Sequence, residues 1–311
     1  MKILVTGANG LIGYAIREIA VKYSQHEFFF STREDTNLIK PDEVARLFDR
    51  VNPDWVIHAA GQVGGIGGNL SHQEDYFYNN ILMNSNVIHY ACLSDVKKLI
   101  AFSSTCVFSR EQETFVEDDI QKGEPFHIHF AYAYAKRMVD IHIKAAKRQH
   151  DVDFCSVIPG NIFGKHDNFN LEEGHVTPSL IYKCQLAKKD DDPFKIWGNG
   201  NAKRELIYSL DIAEILIRIL EMEQLLPNRL LVGSDDELSI KELAEKIADL
   251  SGFDGEIMFD KNKPDGQLRK KSNISRLRTL LPDFKFTNLD VSLKETIEWF
   301  TQNYPNIRGI K

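Results

Sequence analysis

A phenol and an ammonium stand four residues apart in Tyr132-Ala133-Tyr134-Ala135-Lys136. On a helix that spacing puts both side chains on one face. The residues that follow predict a helix: Met138, Ile141 and Ala145 recur at three- and four-residue intervals, with Arg137, Asp140 and Lys144 between them. A cation beside a phenol favours the phenolate, so the spacing predicts a Tyr132 pKa lowered toward neutrality. Such a tyrosine can hand a proton to a carbonyl oxygen while hydride arrives at the carbon. The same residues also fit a plain amphipathic helix with a packed tyrosine and a solvated lysine. Two further features, in the right chain order, favour the chemistry.

The first is a strand, glycine turn and helix at the amino terminus. Lys2–Thr6 is a short apolar run, followed by Gly7-Ala8-Asn9-Gly10-Leu11-Ile12-Gly13 and by a helical pattern at Ile12, Ala15, Ile16 and Ile19. This is the context of a dinucleotide fingerprint. Gly7 allows the tight turn, Gly10 lets a pyrophosphate approach the backbone, and Gly13 lets helix and strand pack closely. The free N–H groups of the helix terminus then face the anion. The spacing is G-x-x-G-x-x-G, not G-x-G-x-x-G.

A second strand is predicted at Glu27–Ser31. NAD enzymes usually place Asp or Glu at its end, on the ribose hydroxyls. Here Ser31-Thr32-Arg33 occupy that point. Arg33 is suited to a 2′-phosphate, which favours NADP(H).

The second feature is Ser103-Ser104-Thr105-Cys106, at the end of the apolar run Lys98–Phe102. In an open parallel sheet, ligand groups collect at the carboxyl ends of strands. Ser104 can therefore hydrogen-bond a carbonyl beside Tyr132. Cys106 falls in the same crevice; taken alone, it reads as a small buried hydrophobe.

With these motifs the chain resembles the extended short-chain dehydrogenase/reductase superfamily, which uses a Ser-Tyr-Lys set on an NAD(P) fold. Within it the chain is similar to the GDP-L-fucose synthase family. The likeness runs over nearly the whole chain: His58-Ala59-Ala60 with Val63-Gly64-Gly65, Ser104-Thr105-Cys106, Tyr132 to Met138, His166 to Asn170, Gly174-His175-Val176, Ile196-Trp197-Gly198 and Asp265-Gly266. The resemblance implies an NADPH-dependent enzyme acting on GDP-4-keto-6-deoxy-D-mannose. It implies catalytic roles for Ser104, Cys106, Tyr132, Lys136 and His175, with Cys106 as base and His175 as acid. Cofactor contacts are implied at Gly7, Ala8, Asn9, Gly10, Leu11, Ile12, Gly13, Arg33, Lys136, Pro159, Asn161, Ile162 and His175. Substrate contacts are implied at Lys183, Trp197, Arg204 and Asp265.

The chemistry agrees with that assignment. A ketone acidifies the hydrogens on both neighbouring carbons, and inverting those centres needs a base and an acid. A cysteine and a histidine can titrate near neutral pH. Lys183 and Arg204 can meet a diphosphate and Trp197 offers an apolar face, although Lys183 also fits a solvated helix face. The chain departs from the family at Ala8-Asn9, Gly160, Lys165 and Lys183, and none of these departures removes a catalytic group. Two alternatives stay open: an enzyme acting on a related 3-deoxy GDP-keto-sugar, and a non-catalytic NADP-binding regulator.

The elements that must position these residues alternate. Helices are expected at 42–51, 74–92, 178–188, 210–222 and 240–250. Strands are expected at 55–58, 153–158, 194–197, 203–208 and 230–232. The βα alternation predicts an α/β fold with a Rossmann-type doubly wound parallel sheet and a smaller C-terminal α/β substrate domain. The expected division is 1–162 plus about 206–233 for cofactor and about 163–205 plus 234–311 for substrate. Five glycines between Gly61 and Gly68 read as a mobile or close-approach loop. The helices at 74–92 and 131–150 carry apolar residues (Ile81, Val87, Ile88, Met138, Ile141) sufficient for a sheet and a partner, and the resemblance implies a homodimer.

The 311 residues, 43% of them hydrophobic, suffice for a large globular core. A formal charge of −7 argues against nucleic-acid binding. Apolar runs too short for a bilayer, a first strand starting at Lys2 and four cysteines without paired spacing lead to the expectation of a cytosolic protein. No metal is expected: the ten histidines form no convincing ligand set, and His127 and His129 read as solvated loop residues.

Overall fold

The computed structural model describes residues 1–235, 237–263 and 267–310. Six strands form one parallel sheet in the order 229–232, 153–159, 98–102, 55–58, 2–6, 27–31. The strand residues are largely apolar, and the four residues of Trp55–His58 are all buried. The chain runs outward from Lys2–Thr6 to Glu27–Ser31, then crosses back and builds the other side. The strand order therefore reverses between Lys2–Thr6 and Trp55–His58, and a crevice opens at their carboxyl ends. Helices Leu11–Ile19 and Ser209–Glu221 cover one face. Helices Pro41–Val51, Gln73–Leu93 and Phe130–Gln149 cover the other.

A second apolar cluster joins Phe163, Phe169, Leu180, Phe194, Leu243, Leu293 and Phe300. It is built on helices Val176–Asp190, Ile240–Ser251 and Leu289–Asn303 and the paired strands Phe194–Trp197 and Ile257–Asp260. The helix at Ile240 carries a full capping box between Ser239 and Glu242. Ile274, Leu277, Leu281 and Phe284 belong to the cluster beneath the large sheet, so this late segment packs with the first core.

The structure refines three of these readings. The predicted strand 203–208 is two strands, Lys203–Arg204 and Leu206–Tyr208, which pair with different neighbours on either side of buried Glu205. In the Phe130–Gln149 helix the stripe Met138, Ile141, Ala145 faces outward, while Val139, Ile143 and Ala146 enter the core. The helix is apolar on two sides, and a periodicity seen from sequence does not say which side meets the sheet. The glycine-rich segment contains a short helix, Ile66–Ser71, and its glycines serve close approach: a Cβ on Gly65 would lie 2.5 Å from the Gly174 carbonyl oxygen, and one on Gly67 would lie 2.7 Å from that of Glu172. Among the described residues no helix is long and apolar enough to cross a membrane.

Candidate active site

The site follows from the sheet. Its strand ends open into one continuous cavity of about 730 Å³ that runs from the glycine turn, past Ser104 and Tyr132, to Trp197 and Arg204. At the turn, Gly7 has φ +74°, and a Cβ there would stand 2.6 Å from the Ala60 nitrogen. Only glycine lets the two strand ends meet this closely. A Cβ on Gly13 would stand 2.5 Å from the Ala8 Cα, so Gly13 sets the helix against the turn. A Cβ on Gly10 would approach only the Gly7 carbonyl oxygen, at 3.2 Å, which leaves that backbone open to the cavity. No side chain caps the helix N-terminus. Its first-turn N–H groups lack intrahelical partners, which suits an anion.

Asn9, Gly10, Leu11, Ile12, Arg33, Pro159, Asn161 and Ile162 line the cavity with Gly7. Ala8 and Gly13 do not: Ala8 is buried, and its N–H donates to the Ser31 carbonyl oxygen at 3.2 Å. Their part is to shape the turn. At the end of the second strand Arg33 is exposed to the cavity. Asp35, two residues on, accepts from the Thr32 N–H and hydroxyl, both at 2.8 Å, and these bonds hold its carboxyl below the usual range.

Ser104, Tyr132 and Lys136 converge as their spacing predicts. The Ser104 hydroxyl accepts from the Cys106 N–H at 3.2 Å and is hydrogen-bonded to the Tyr132 phenol. Ser103 donates to the Lys136 carbonyl oxygen at 3.2 Å, fixing helix to strand end. Lys136 is buried, and its ammonium donates to the Phe102 carbonyl oxygen at 2.9 Å. Burial pulls its pKa down to about 8. The expected lowering of Tyr132 is not found. Burial pushes the phenol above its ordinary value and proximity to Cys106 adds to this, while the Ser104 hydrogen bond opposes them. Desolvation of the phenolate is the dominant effect. The phenol is therefore protonated at neutral pH, the form that can donate.

Beneath Lys136, buried His58 bridges Thr6 Oγ1 at 2.7 Å and Asn84 Oδ1 at 3.0 Å. Burial, then the Lys136 charge, depresses its pKa to about 3, so it is a neutral strut joining two strands to the Gln73–Leu93 helix.

Cys106 and His175 line the same cavity from different elements. Cys106 sits in a 3-10 turn after strand Lys98–Phe102, and Lys270 Nζ donates to its sulfur at 3.7 Å. His175 precedes the Val176–Asp190 helix. Its ring is exposed to the cavity yet lies deep in the protein, where desolvation, then Arg308 and Lys270, hold its pKa below the ordinary 6.5. The loop that carries it is tied to the glycine-rich segment: the Gly65 N–H donates to the Glu173 carbonyl oxygen at 2.6 Å, and Asn69 Nδ2 donates to those of Gly64 and Gly65.

Toward the far end, the Lys183 ammonium sits 4.4 Å and that of Lys263 5.2 Å from the Trp197 ring centre. Burial, then Lys263, lowers Lys183 to about 8. Arg204 lines the cavity close to Cys106. Asp265 lies outside the described residues.

Sequence reasoning missed four groups that line the cavity: His129, Asp167, Lys270 and Arg308. His129 is not a solvated loop residue. It is partly buried, its Nδ1 has no hydrogen-bond partner, and burial followed by the charge of Lys270 depresses its pKa to about 3. Lys270 is brought in by strand Arg269–Ser272, in register with Arg204. His129 stands three residues before Tyr132, and that proximity was the available signal; Lys270 and Arg308 had none. Among the described residues no group of three or more His, Cys, Asp or Glu side chains could hold a metal.

A doubly wound sheet with Ser, Tyr and Lys at its crevice defines a class, and the model of the NAD dependent epimerase/dehydratase family matches residues 3–233. The chain belongs to that family. Within it the chain is similar over its length to GDP-L-fucose synthases. It is 36% identical to the GDP-L-fucose synthase of Dictyostelium discoideum, with 98% of this chain and 97% of the relative covered. It is 34% identical to a probable GDP-L-fucose synthase of Drosophila melanogaster, with 99% of each covered. The crystal structure of a GDP-L-fucose synthetase from Naegleria fowleri bound to NADP superposes with a TM-score of 0.92 at 35% identity, covering 99% of this chain and 94% of that one.

Proposed function

We propose that the protein converts GDP-4-keto-6-deoxy-D-mannose to GDP-L-fucose with NADPH, by epimerising the two carbons beside the ketone and then reducing the ketone. The observation that carries the reading is that Ser104, Cys106, Tyr132, Lys136 and His175 line one cavity with the glycine turn. An oxidoreductase without epimerisation would need no cysteine and histidine there.

The residues present fit NADP(H). The open backbone at Gly10 and the uncapped helix terminus would hold the pyrophosphate, and Arg33 the 2′-phosphate, while the nearby Asp35 is engaged by Thr32. Lys136 would reach the nicotinamide ribose. Bound NADPH supplies the hydride. In the epimerisation, Cys106 removes a proton from a carbon beside the ketone and His175 returns one from the opposite face. In the reduction, Ser104 positions the carbonyl oxygen and Tyr132 gives it a proton. The Lys136 ammonium stabilises the phenolate that results. Lys183 and Arg204 are suited to the diphosphate.

The reading includes a homodimer. Phe77, Tyr78, Met138 and Ile141 are exposed on the two long helices Gln73–Leu93 and Phe130–Gln149, more apolar surface than solvated helices normally carry. Sedimentation equilibrium should give twice the 35.6 kDa chain mass. It also includes a cofactor-binding unit at 1–162 plus about 206–233, and a cytosolic setting that the free thiols of Cys92, Cys106, Cys155 and Cys184 fit.

The test is incubation with NADPH and the keto-sugar, with the product identified by NMR, together with deuterium wash-in from D2O. Cys106→Ser and His175→Ala should each slow exchange of the ring hydrogens. Exchange at both centres at the wild-type rate in both variants would refute the epimerase assignment. A reaction confined to a 3-deoxy keto-sugar would replace the substrate.

A further inference from the structure

We propose that Arg308 is a positioning residue of this site: the segment after the last helix straps the loop that bears His175 and carries a cation into the cavity beside it. The inference rests on the epimerase/reductase reading and extends it to a residue that no active-site motif contains.

The strap is made by backbone. Ile307 is buried in the second apolar cluster and anchors the segment. The Phe169 N–H donates to the Arg308 carbonyl oxygen at 3.0 Å, and Asn170 Nδ2 donates to that of Gly309 at 3.3 Å. Gly309 has φ +88°, and a Cβ there would stand 2.5 Å from the Asn170 nitrogen, so the strand of contact tolerates only glycine. Asn170 in turn organises the loop: its side-chain oxygen accepts from the N–H groups of Glu172 at 3.0 Å and Glu173 at 2.9 Å, and its carbonyl oxygen accepts from Gly174 at 3.0 Å. His175 is the next residue. An unbroken set of hydrogen bonds thus runs from Arg308–Gly309 to the residue before His175.

Between strap and loop lies an unused carboxyl. Asp167 is buried at 3% exposure and lines the cavity. One of its oxygens takes the Asn168 N–H at 2.7 Å and the other has no partner. Burial pushes its pKa up to about 7, and the Asn168 hydrogen bond, then Arg308, counteract this. Arg308 therefore faces two titratable groups, Asp167 and His175. The other groups around His175 are Lys270 from strand Arg269–Ser272, His129 from the turn before the Tyr132 helix, and Glu172 and Glu173 on its own loop. Both neighbouring cations, Arg308 and Lys270, disfavour imidazolium, and Arg308 is the stronger of the two. A donor histidine works in its protonated form, so Arg308 adds to burial in lowering the pH above which His175 ceases to donate.

The test is an NMR titration of the His175 ring in the NADP-bound protein, assigned with His175→Gln. In Arg308→Gln the His175 midpoint should rise, and in Arg308→Lys it should stay at the wild-type value. Arg308→Met serves the same purpose if glutamine disturbs the loop. The alkaline limb of deuterium wash-in should move up with the titration, a change that loosening of the loop alone does not produce. An unchanged His175 midpoint on removal of the charge overturns the proposal. If wild-type protein neither exchanges ring hydrogens nor oxidises NADPH with the keto-sugar, the functional reading fails, and the titration still decides the role of Arg308.

Discussion

Replacing Lys136 by methionine should abolish reduction and make the empty protein more stable. Lys136 is 2% exposed and its pKa falls from the ordinary 10.5 to about 8 because burial penalises the ammonium. At ~1.4 kcal/mol per pH unit, that fall is a cost of roughly 3 kcal/mol for holding the charge in the folded state. Methionine removes the charge with little change of volume. It also removes the 2.9 Å hydrogen bond from the ammonium to the Phe102 carbonyl oxygen, a loss of about 1.5–3 kcal/mol. The expected net gain is at most about 1.5 kcal/mol near pH 7. The sign depends on pH. Below pH 8 the lysine is charged in both folded and unfolded chains, and the full burial cost is present. Between about 8 and 10.5 the folded chain has lost the proton that the unfolded chain still holds, so wild-type stability rises with pH. The advantage of Lys136→Met should therefore be largest below pH 8 and shrink as pH approaches 10.5. Urea unfolding of both proteins without cofactor, at several pH values from 7 to 10.5, measures this. A variant less stable than wild type at pH 7, or an advantage that does not change with pH, would show that the buried ammonium is not the dominant cost at this position.

The other expectations concern individual contacts. Tyr132→Phe should lower NADPH oxidation with the keto-sugar by about 100- to 10,000-fold, with cofactor affinity retained; near-wild-type turnover would remove Tyr132 from the chemistry. Arg33→Ala should weaken NADPH by roughly 1.5–3 kcal/mol and leave NADH nearly unchanged, and equal wild-type dissociation constants for the two cofactors by calorimetry would count against the assignment. Gly13→Val should lower both NADPH affinity and melting temperature, because its Cβ would stand 2.5 Å from the Ala8 Cα, a backbone atom that cannot turn aside; a variant with both values unchanged would mean that the turn is looser than its geometry indicates.

Local patterns were legible in the sequence and long-range ones were not. The glycine turn, the Tyr132/Lys136 pair and the strand-end position of Ser104 each depend on a few consecutive residues, and all three stand where their spacing placed them. The pKa of Tyr132 was misjudged because a four-residue spacing reports the neighbouring cation but not the depth of burial, and burial dominates. The Met138/Ile141 periodicity marks a helix without saying which side is buried: the helix has two apolar faces, and tertiary packing selects Val139 and Ile143 for the core. Lys270 reaches Cys106 across 164 positions of sequence. No periodicity within a segment carries that information.

The glycines explain how so dispersed a site can be held firmly. The groups assigned to acid–base chemistry lie on separate segments, after strand Lys98–Phe102, in the Tyr132 helix and before the Val176–Asp190 helix. Side-chain contacts alone would leave those segments free to drift, since long side chains reorient readily. Here the connections are made by backbone instead. Gly7 meets Ala60, Gly65 meets Gly174, and Gly309 meets Asn170, each at a separation that a Cβ would occupy. Close backbone approach fixes one loop against the next at the scale of a single atom, and the Gly65–Glu173 and Phe169–Arg308 hydrogen bonds hold the register. Epimerisation requires that scale of control, because a base and an acid must address opposite faces of one carbon, and a shift of about 1 Å costs on the order of a hundredfold in rate. On this argument the glycines outside the dinucleotide turn serve the site as directly as the residues that line it.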